Sequence, residues 1–495
     1  VNALPVVILL TSLLPAAVTF FLPQEQHAWR NGLNLGGAVI KLGLVVVLMG
    51  AVAEGIEPEA RLPLAPGLDL VLRADDLSLL FVSLSAFLWL LTTVYAISYF
   101  GEKPELSRFF GFFSLCVAAT TGLALSGTLI TFFVFFELLT LSTWPLVAHK
   151  QDDQSLAAAR SYVLYALPGS VAVLVAIIWL EGLVGTVAFA APPDLSGVDR
   201  WSLTLIFVLF VGGLGVKAAI VPLHGWLPGA MAAPAPVSSL LHAVAVVKAG
   251  AFGIVRVVYD IFGVARVQEL GLGTPLAVVA SVTILWGSVR ALQQMELKKR
   301  LAYSTVSQVS YIVLGTALAG PFGTIGGLVH LVHQGIMKIT LFFCAGLYDE
   351  RAGARRIEQL DGLGQRMPWT SAAFSVGAMG MIGLPPIAGF VSKVYLGVGA
   401  VQSGELWVLA VLGASTLLNA AYFLPLLWRI WFLPPQTEGI GATPIPFAAV
   451  DERVPGLVVP AMLTALTSVA AGLFAASAFS PLGWATLIAG GAYSP

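Results

Sequence analysis

Residues 211–250 read VGGLGVKAAIVPLHGWLPGAMAAPAPVSSLLHAVAVVKAG, and the architecture follows from this stretch. It sets Lys217 and Lys248 inside two hydrophobic runs separated by a proline-rich turn. Gly212, Gly213 and Gly215 permit close helix approach, and Pro222 and Pro228 cannot continue a helical ladder, so the helix carrying Lys217 is predicted to break just beyond it. Broken backbone at membrane depth is tolerated only where protein or water satisfies the freed carbonyls. A charge near the bilayer centre costs ~2.5–3.5 kcal/mol on insertion scales, so both lysines need a compensating environment or role. The stretch reads as two membrane helices carrying buried charge beside an interrupted backbone.

The rest of the chain has the same character. It is 58% hydrophobic and 10% charged, against roughly a quarter charged in a soluble domain. A spanning helix needs about 20 mostly apolar residues. Such windows fall at 4–22, 33–53, 77–99, 109–126, 128–147, 161–181, 203–222, 236–258, 273–291, 301–319, 323–346, 369–393, 405–432 and 456–480, which predicts an all-α integral membrane protein of about 14 transmembrane helices. The first window has no positive residue before it, which argues against a cleaved signal peptide. Loops after odd-numbered helices carry fifteen Lys or Arg and the others five. That bias predicts odd loops in the cytoplasm and both termini outside, in a bacterial-type inner membrane. A net charge of −1 offers no polybasic surface, so nucleic acid is not an expected partner. The two cysteines, Cys116 and Cys344, lack ligand spacing, so no cofactor or metal is expected and redox chemistry would sit in another chain.

With Arg256, Arg290 and Arg429, close to window ends, counted with the loops, five basic residues are left within helices: Lys41, Lys217, Lys248, Lys338 and Lys393, with Glu137 the one acid in mid-helix. Lys41 lies about a third of the way along helix 2 and is predicted to snorkel to the interface. Glu137, in TFFVFFELLTLSTWP, needs a cation to stay charged, and Lys217 is the economical partner. A purely structural ion pair is the alternative, although buried pairs are often near neutral for stability. His242, with Ser238 and Ser239, gives helix 8 a polar stripe beside Lys248; alone it would read as a packing residue. In HLVHQGIMKITLFF, His330 and His333 stand one turn apart and Lys338 lies roughly 12 Å beyond His330 on a shared broad face. Histidine both accepts and donates near neutrality, which suits a relay, and no third membrane ligand points to a metal. GMIGLPPIAGFVSKVYL interrupts helix 12 at Pro385 and Pro386, seven residues before Lys393. Two broken helices five positions apart, each with a lysine, suggest inverted repeats of helices 4–8 and 9–13.

The segments FFELLTLSTWPL, VKAAIVPLHGWLPGAMAAPAPVSSLLHAVAVVKAG, LKKRLAYSTVSQVSY and GLPPIAGFVSKVYL resemble the signature segments of the antiporter-like, proton-conducting membrane subunits of Mrp cation/proton antiporters and respiratory complex I. The resemblance runs from about Asp76 to Lys393. It implies fourteen helices with two inverted five-helix repeats. It also implies a glutamate on helix 5 paired with a lysine on helix 7, and a lysine on helix 8 leading through helix 11 to a final residue on helix 12. By similarity these positions are Glu137, Lys217, Lys248, His330, His333, Lys338 and Lys393. LTLSTWPLVAH and the length are most similar to the D subunit of Mrp-type Na+/H+ antiporters. Lys393 stands where a glutamate is expected in the M subunit of bacterial complex I, and the tail is too short for the lateral helix of the L subunit. WLPGAM departs from the family in lacking the acid and histidine often found after this LP.

Four regions are expected: 1–107, 108–260 and 261–435 (the two repeats), and 436–495. Protons are expected to enter near Lys248 or the helix 11 histidines and to leave toward Lys393, with Glu137 and Lys217 as the gate. The implied partners are other membrane subunits of a hetero-oligomer, protons, Na+ and lipid. The alternative is a proton-pumping subunit of a redox complex, such as a complex I-like NADH:quinone oxidoreductase or a membrane-bound hydrogenase.

Overall fold

A computed structural model describes residues 1–65, 68–435 and 452–493. Each expected window coincides with a helix or an interrupted helix: α1 (Leu4–Phe21), α2 (His27–Ala53), α3 (Asp76–Phe100), α4 (Leu106–Ala124), α5 (Leu129–Val147), α6 (Asp153–Val184), α7 (Arg200–Lys217), α8 (Ala235–Phe262), α9 (Gly273–Leu292), α10 (Leu297–Ala317), α11 (Pro321–Ala352), α12a (Pro368–Ile382) with α12b (Ala388–Gln402), α13 (Trp407–Phe432) and α14 (Pro455–Leu473). A further helix, α15 (Pro481–Tyr493), follows. The boundary expected at 435/436 falls at the edge of the described residues, and 436–451 lie outside them.

Twelve of these helices are long and apolar enough to cross a membrane. The other two crossings have their own reasons. α10 carries Arg300, Ser304, Thr305, Ser307, Gln308 and Ser310, which lower its hydropathy but are all buried against neighbouring helices. α12 crosses as two halves of 15 residues each, about 22 Å apiece. The chain is a multi-pass integral membrane protein.

Side-chain caps set several starts: Asp75 accepts from Ser78 N (2.7 Å) at α3, Asp152 from Ser155 N (2.7 Å) at α6, and Asp199 from Ser202 N (2.9 Å) at α7. The apolar stretches of α8 and α11 are buried throughout, so these two helices form the interior and do not meet lipid. α6 and α13 instead present Leu164, Val171 and Ile178, and Leu417 and Leu424, outward.

Three observations depart from the sequence reading. A β-hairpin, β1 (Glu59–Ala65) with β2 (Leu68–Arg73), joins α2 to α3. It sits over the α4–α5 turn, where Gly127 N donates to Val71 O (2.8 Å) and Arg73 N to Leu125 O (2.7 Å). α8 is broken at Val244–Ala245 although no proline is present there; Ala245 N bonds Leu240 O (2.9 Å), one residue further back than an α-helix requires. Lys41 does not snorkel, because α2 begins at His27, which places the lysine near the helix midpoint, where it is fully buried.

Candidate functional site

α7 ends on Lys217, as the proline pattern predicts. The chain turns through Ala219, at φ 56°, before a short helix resumes at Trp226. The freed backbone is satisfied by protein: Trp226 Nε1 donates to Val216 O (2.8 Å), and Thr283 Oγ1 of α9 accepts from Val221 N (3.1 Å).

The expected Glu137–Lys217 ion pair is not made. Lys217 Nζ donates to the carbonyl of Phe136 and lies 3.3 Å from the centroid of that residue's ring. Glu137 accepts instead from the Ser170 hydroxyl of α6. The two charged groups thus flank one backbone unit of α5, each held by a neutral partner.

Lys248 follows the break in α8. Its Nζ donates to Leu331 O of α11 (2.7 Å) and has no solvent exposure. Beside that carbonyl stand the two histidines of α11. His330 Nδ1 lies 2.8 Å from Ser392 Oγ of α12b, and its ring is tilted over Tyr311 at 5.1 Å. His330 Nε2, both nitrogens of His333, and both polar atoms of the Gln334 amide are buried without hydrogen-bond partners among the described residues. Buried polar atoms of this kind cost roughly 1–3 kcal/mol each when left unpaired, and here they cluster on one stretch of α11. His242 of α8, also unpartnered at both nitrogens, packs on Phe342 of α11 at 4.6 Å.

Lys338 and Lys393 are joined by side chains that the sequence reading does not single out. Lys338 Nζ donates to Ser304 Oγ of α10 (2.8 Å). The Ser304 and Tyr422 hydroxyls are 2.9 Å apart, and Tyr422 of α13 also bonds Asn419 Oδ1. Asn419 Nδ2 donates to Met381 O (3.2 Å), which Lys393 Nζ reaches at 3.3 Å from the other side. The resulting line, Lys338–Ser304–Tyr422–Asn419–Met381–Lys393, crosses four helices without leaving hydrogen-bond contact. Ser304 and Asn419 are neutral, so no charge cost draws attention to them. Asn419 in STLLNAAYF is the available signal.

Lys393 also donates to Ile382 O (2.7 Å) and Thr416 Oγ1 (3.1 Å). A cation at the end of α12a complements the negative pole of that half-helix. Gly383, at φ 94°, makes this possible, since a Cβ there would stand 2.7 Å from Lys393 Cδ.

The structure therefore assembles Lys248, His330, His333, Lys338 and Lys393 around α11 and leaves Glu137 and Lys217 at the α5–α7 end. Among the described residues no three His, Cys, Asp or Glu side chains cluster as metal ligands. Away from this axis Arg256, in the last turns of α8, holds Asp75 through two bonds (2.8 and 2.9 Å) and Asp260 through one (2.6 Å). The sequence reading counts that arginine among loop charges.

Residues 126–418 match the family model described as NADH:quinone oxidoreductase/Mrp antiporter, TM. Subunit N of the NADH-quinone oxidoreductase of Desulforudis audaxviator is 32% identical over 95% of this chain and 96% of its own length. One Na(+)/H(+) antiporter subunit of Alkalihalophilus pseudofirmus is 32% identical over 74% of this chain but only 48% of its own. Among solved structures, a chain of the Mrp complex from a Dietzia species superposes with a TM-score of 0.84 at 26% identity, over 100% of this chain and 98% of that one. A chain of an archaeal membrane-bound sulfane sulfur reductase shares the fold, with a TM-score of 0.86 at 24% identity. The chain belongs to the NADH:quinone oxidoreductase/Mrp antiporter transmembrane family.

Proposed function

We propose that this chain is a proton-translocating subunit of a multisubunit Na+/H+ antiporter of the Mrp type, and that it carries protons from Lys248 through the α11 histidines and Lys338 to Lys393. The observation that carries the proton path is the hydrogen-bonded line from Lys338 through Ser304 and Tyr422 to Asn419, whose amide shares the Met381 carbonyl with Lys393; that carbonyl accepts from both and so positions the two lysines at the ends of one polar line without itself passing a proton. The line ends in lysines that form no ion pair among the described residues, and the Ser304 and Tyr422 hydroxyls within it both donate and accept. Glu137 and Lys217 act as the gate. Two unit charges 4 Å apart at an effective dielectric near 20 interact by about 4 kcal/mol, and less in proportion as they separate. Bringing Glu137 onto Lys217 therefore stabilises the charged lysine, and parting them releases its proton toward Lys248. The arrangement seen here, with the pair unmade, corresponds to the released state.

The division into 1–107, two inverted repeats at 108–260 and 261–435, and a C-terminal region belongs to the same proposal. It is supported by broken helices α7 and α12, five positions apart and each bearing a lysine at its break. The charge bias of the loops supports both termini outside. The antiporter assignment draws on the end-to-end match with a chain of the Mrp complex, against a match to only about half of the Alkalihalophilus protein.

A second reading has its own observation. The near full-length match to subunit N of an NADH-quinone oxidoreductase favours a redox-driven complex in which the same residues carry protons. Purifying the intact complex from native membranes and identifying its chains by mass spectrometry decides between them. Small antiporter subunits without redox proteins support Na+ exchange; iron-sulfur or nickel-iron subunits replace it with the redox reading.

A further inference from the structure

The fully buried Lys41 has no place in the axis from Lys217 to Lys393, yet it is built into a polar seam of its own. On α2, Asn34 and Lys41 stand seven residues apart; so do Ser12 and Thr19 on α1, and Ser114 and Thr121 on α4. Two helical turns return each pair to one face. The three faces meet in rungs. Asn34 Nδ2 reaches Thr19 Oγ1 (3.3 Å) while its Oδ1 accepts from Ser114. Lys41 Nζ donates to Ser12 Oγ (2.9 Å) and Thr121 Oγ1 (2.6 Å), and lies 4.7 Å from the centre of the Trp89 ring on α3. Toward the start of α2, Arg30 continues the seam to Gln24 O (3.1 Å) and Ser107 Oγ (3.5 Å).

Packing alone does not call for a lysine here. An apolar side chain would fill the same space without the cost of a charge at mid-membrane depth. Nor does a counter-ion explain it: among the described residues Lys41 forms no ion pair. The packed elements offer Ser12 from α1, Trp89 from α3 and Thr121 from α4. The nearest titratable group on α4, Cys116, turns to Thr143 of α5 (3.7 Å), and Arg30 on α2 itself is three turns away, roughly 16 Å. What the site does supply is tolerance of both protonation states. Ser12 and Thr121 accept from the ammonium while donating to their own helices at Leu9 O (3.2 Å) and Val117 O (2.8 Å). When the amine is neutral, either hydroxyl can rotate and donate to it.

We propose that Lys41 is a second proton-binding site of this chain, outside the two repeats and loaded through the seam from the Arg30 end. A proton entering beside Arg30 passes the Ser114–Asn34–Thr19 rung on water admitted to the seam, binds the Lys41 amine, and leaves by the reverse transfer. Nothing else is consumed.

The test is a proton count on the intact native complex in lipid nanodiscs, with no cation gradient or electron donor, so that its outcome does not depend on which driver the complex uses. Lys41→Met is expected to take up one proton fewer per copy than wild type between pH 9 and pH 5. Asn34→Leu is expected to keep the wild-type count but slow uptake at least five-fold. An unchanged count in Lys41→Met overturns the binding site, and unchanged kinetics in Asn34→Leu overturn the route. If Lys41→Met fails to assemble, Lys41→Arg, which keeps the charge but does not titrate, supplies the same count. Failure of both to assemble makes the lysine a structural post and ends the proposal.

Discussion

Lys393 donates to Ile382 O across 2.7 Å, so the lysine of α12b caps the half-helix α12a on the other side of the break. The same ammonium holds Thr416 of α13, and its second carbonyl contact, Met381 O, is shared with Asn419. The break, the charge and the exit of the proposed path are thus one structure. Lys393→Met removes both the proton carrier and the cap. Loss of a positioned proton-transfer group typically costs ~10²–10⁴-fold in rate, and proton transport by reconstituted complex is expected to fall by at least ~10²-fold. Lys393→Arg should keep the cap and the assembly but not the transport, because guanidinium does not release its proton. Transport near wild type in Lys393→Arg would exclude Lys393 as a carrier.

Tyr422 tests the line between the lysines. Tyr422→Phe keeps the ring but deletes the hydroxyl that joins Ser304 to Asn419. A buried polar atom left without its partner costs about 1–3 kcal/mol, so a modest drop in stability should accompany a fall in transport of about tenfold or more. The two effects separate by measurement: thermal unfolding of the purified complex reports the first, and proton flux into liposomes reports the second. Stability lost without any change in flux would mean that the hydroxyl only packs.

The helices are legible in the sequence because lipid demands long apolar windows, and the charges inside them are legible because each is costly. Other features leave weaker traces. Lys41 reads as interfacial because the apolar window begins at 33, whereas the helix begins at His27, where polar residues near a membrane surface hide the start. The break in α8 has no proline to announce it; it arises where α11 packs closely, and a Cβ on Gly335 would sit 3.0 Å from Ala243 O. Ser304, Asn419 and Tyr422 escape notice because a neutral polar side chain on a membrane helix is ordinary until its neighbours are known. The hairpin at 59–73 is too short for its alternation to stand out between two spans.

Glu137 is held by Ser170 while Lys217 is held by the Phe136 carbonyl, so the gate has two separately stabilised halves. Glu137→Ala is expected to abolish coupled transport and to leave assembly intact, because no ion pair is broken in this arrangement. Transport assays and native gel electrophoresis of the same preparation check both parts. An unimpaired rate would remove Glu137 from the gate.

The Asp75–Arg256–Asp260 cluster should govern stability in acid. Asp75 lies before α3, outside the spans. Burial pushes its carboxyl up, but the Arg256 charge and the bonds from Arg256 and Ser78 more than offset this and hold it below the usual range. A carboxylate whose folded pKa is depressed contributes stability above its unfolded value, about 3.9, and that contribution is lost as pH falls through the folded value. Acidification below about pH 4 should therefore destabilise wild type more than Asp75→Asn, which has already lost the charge. At neutral pH Asp75→Ala should cost about 3–5 kcal/mol, since it strips a nearly buried arginine of its two-pronged partner and removes the α3 cap. Thermal unfolding at pH 7 and pH 3.5 checks both statements. Equal acid sensitivity in wild type and Asp75→Asn would show that the arginine is held by Asp260 alone.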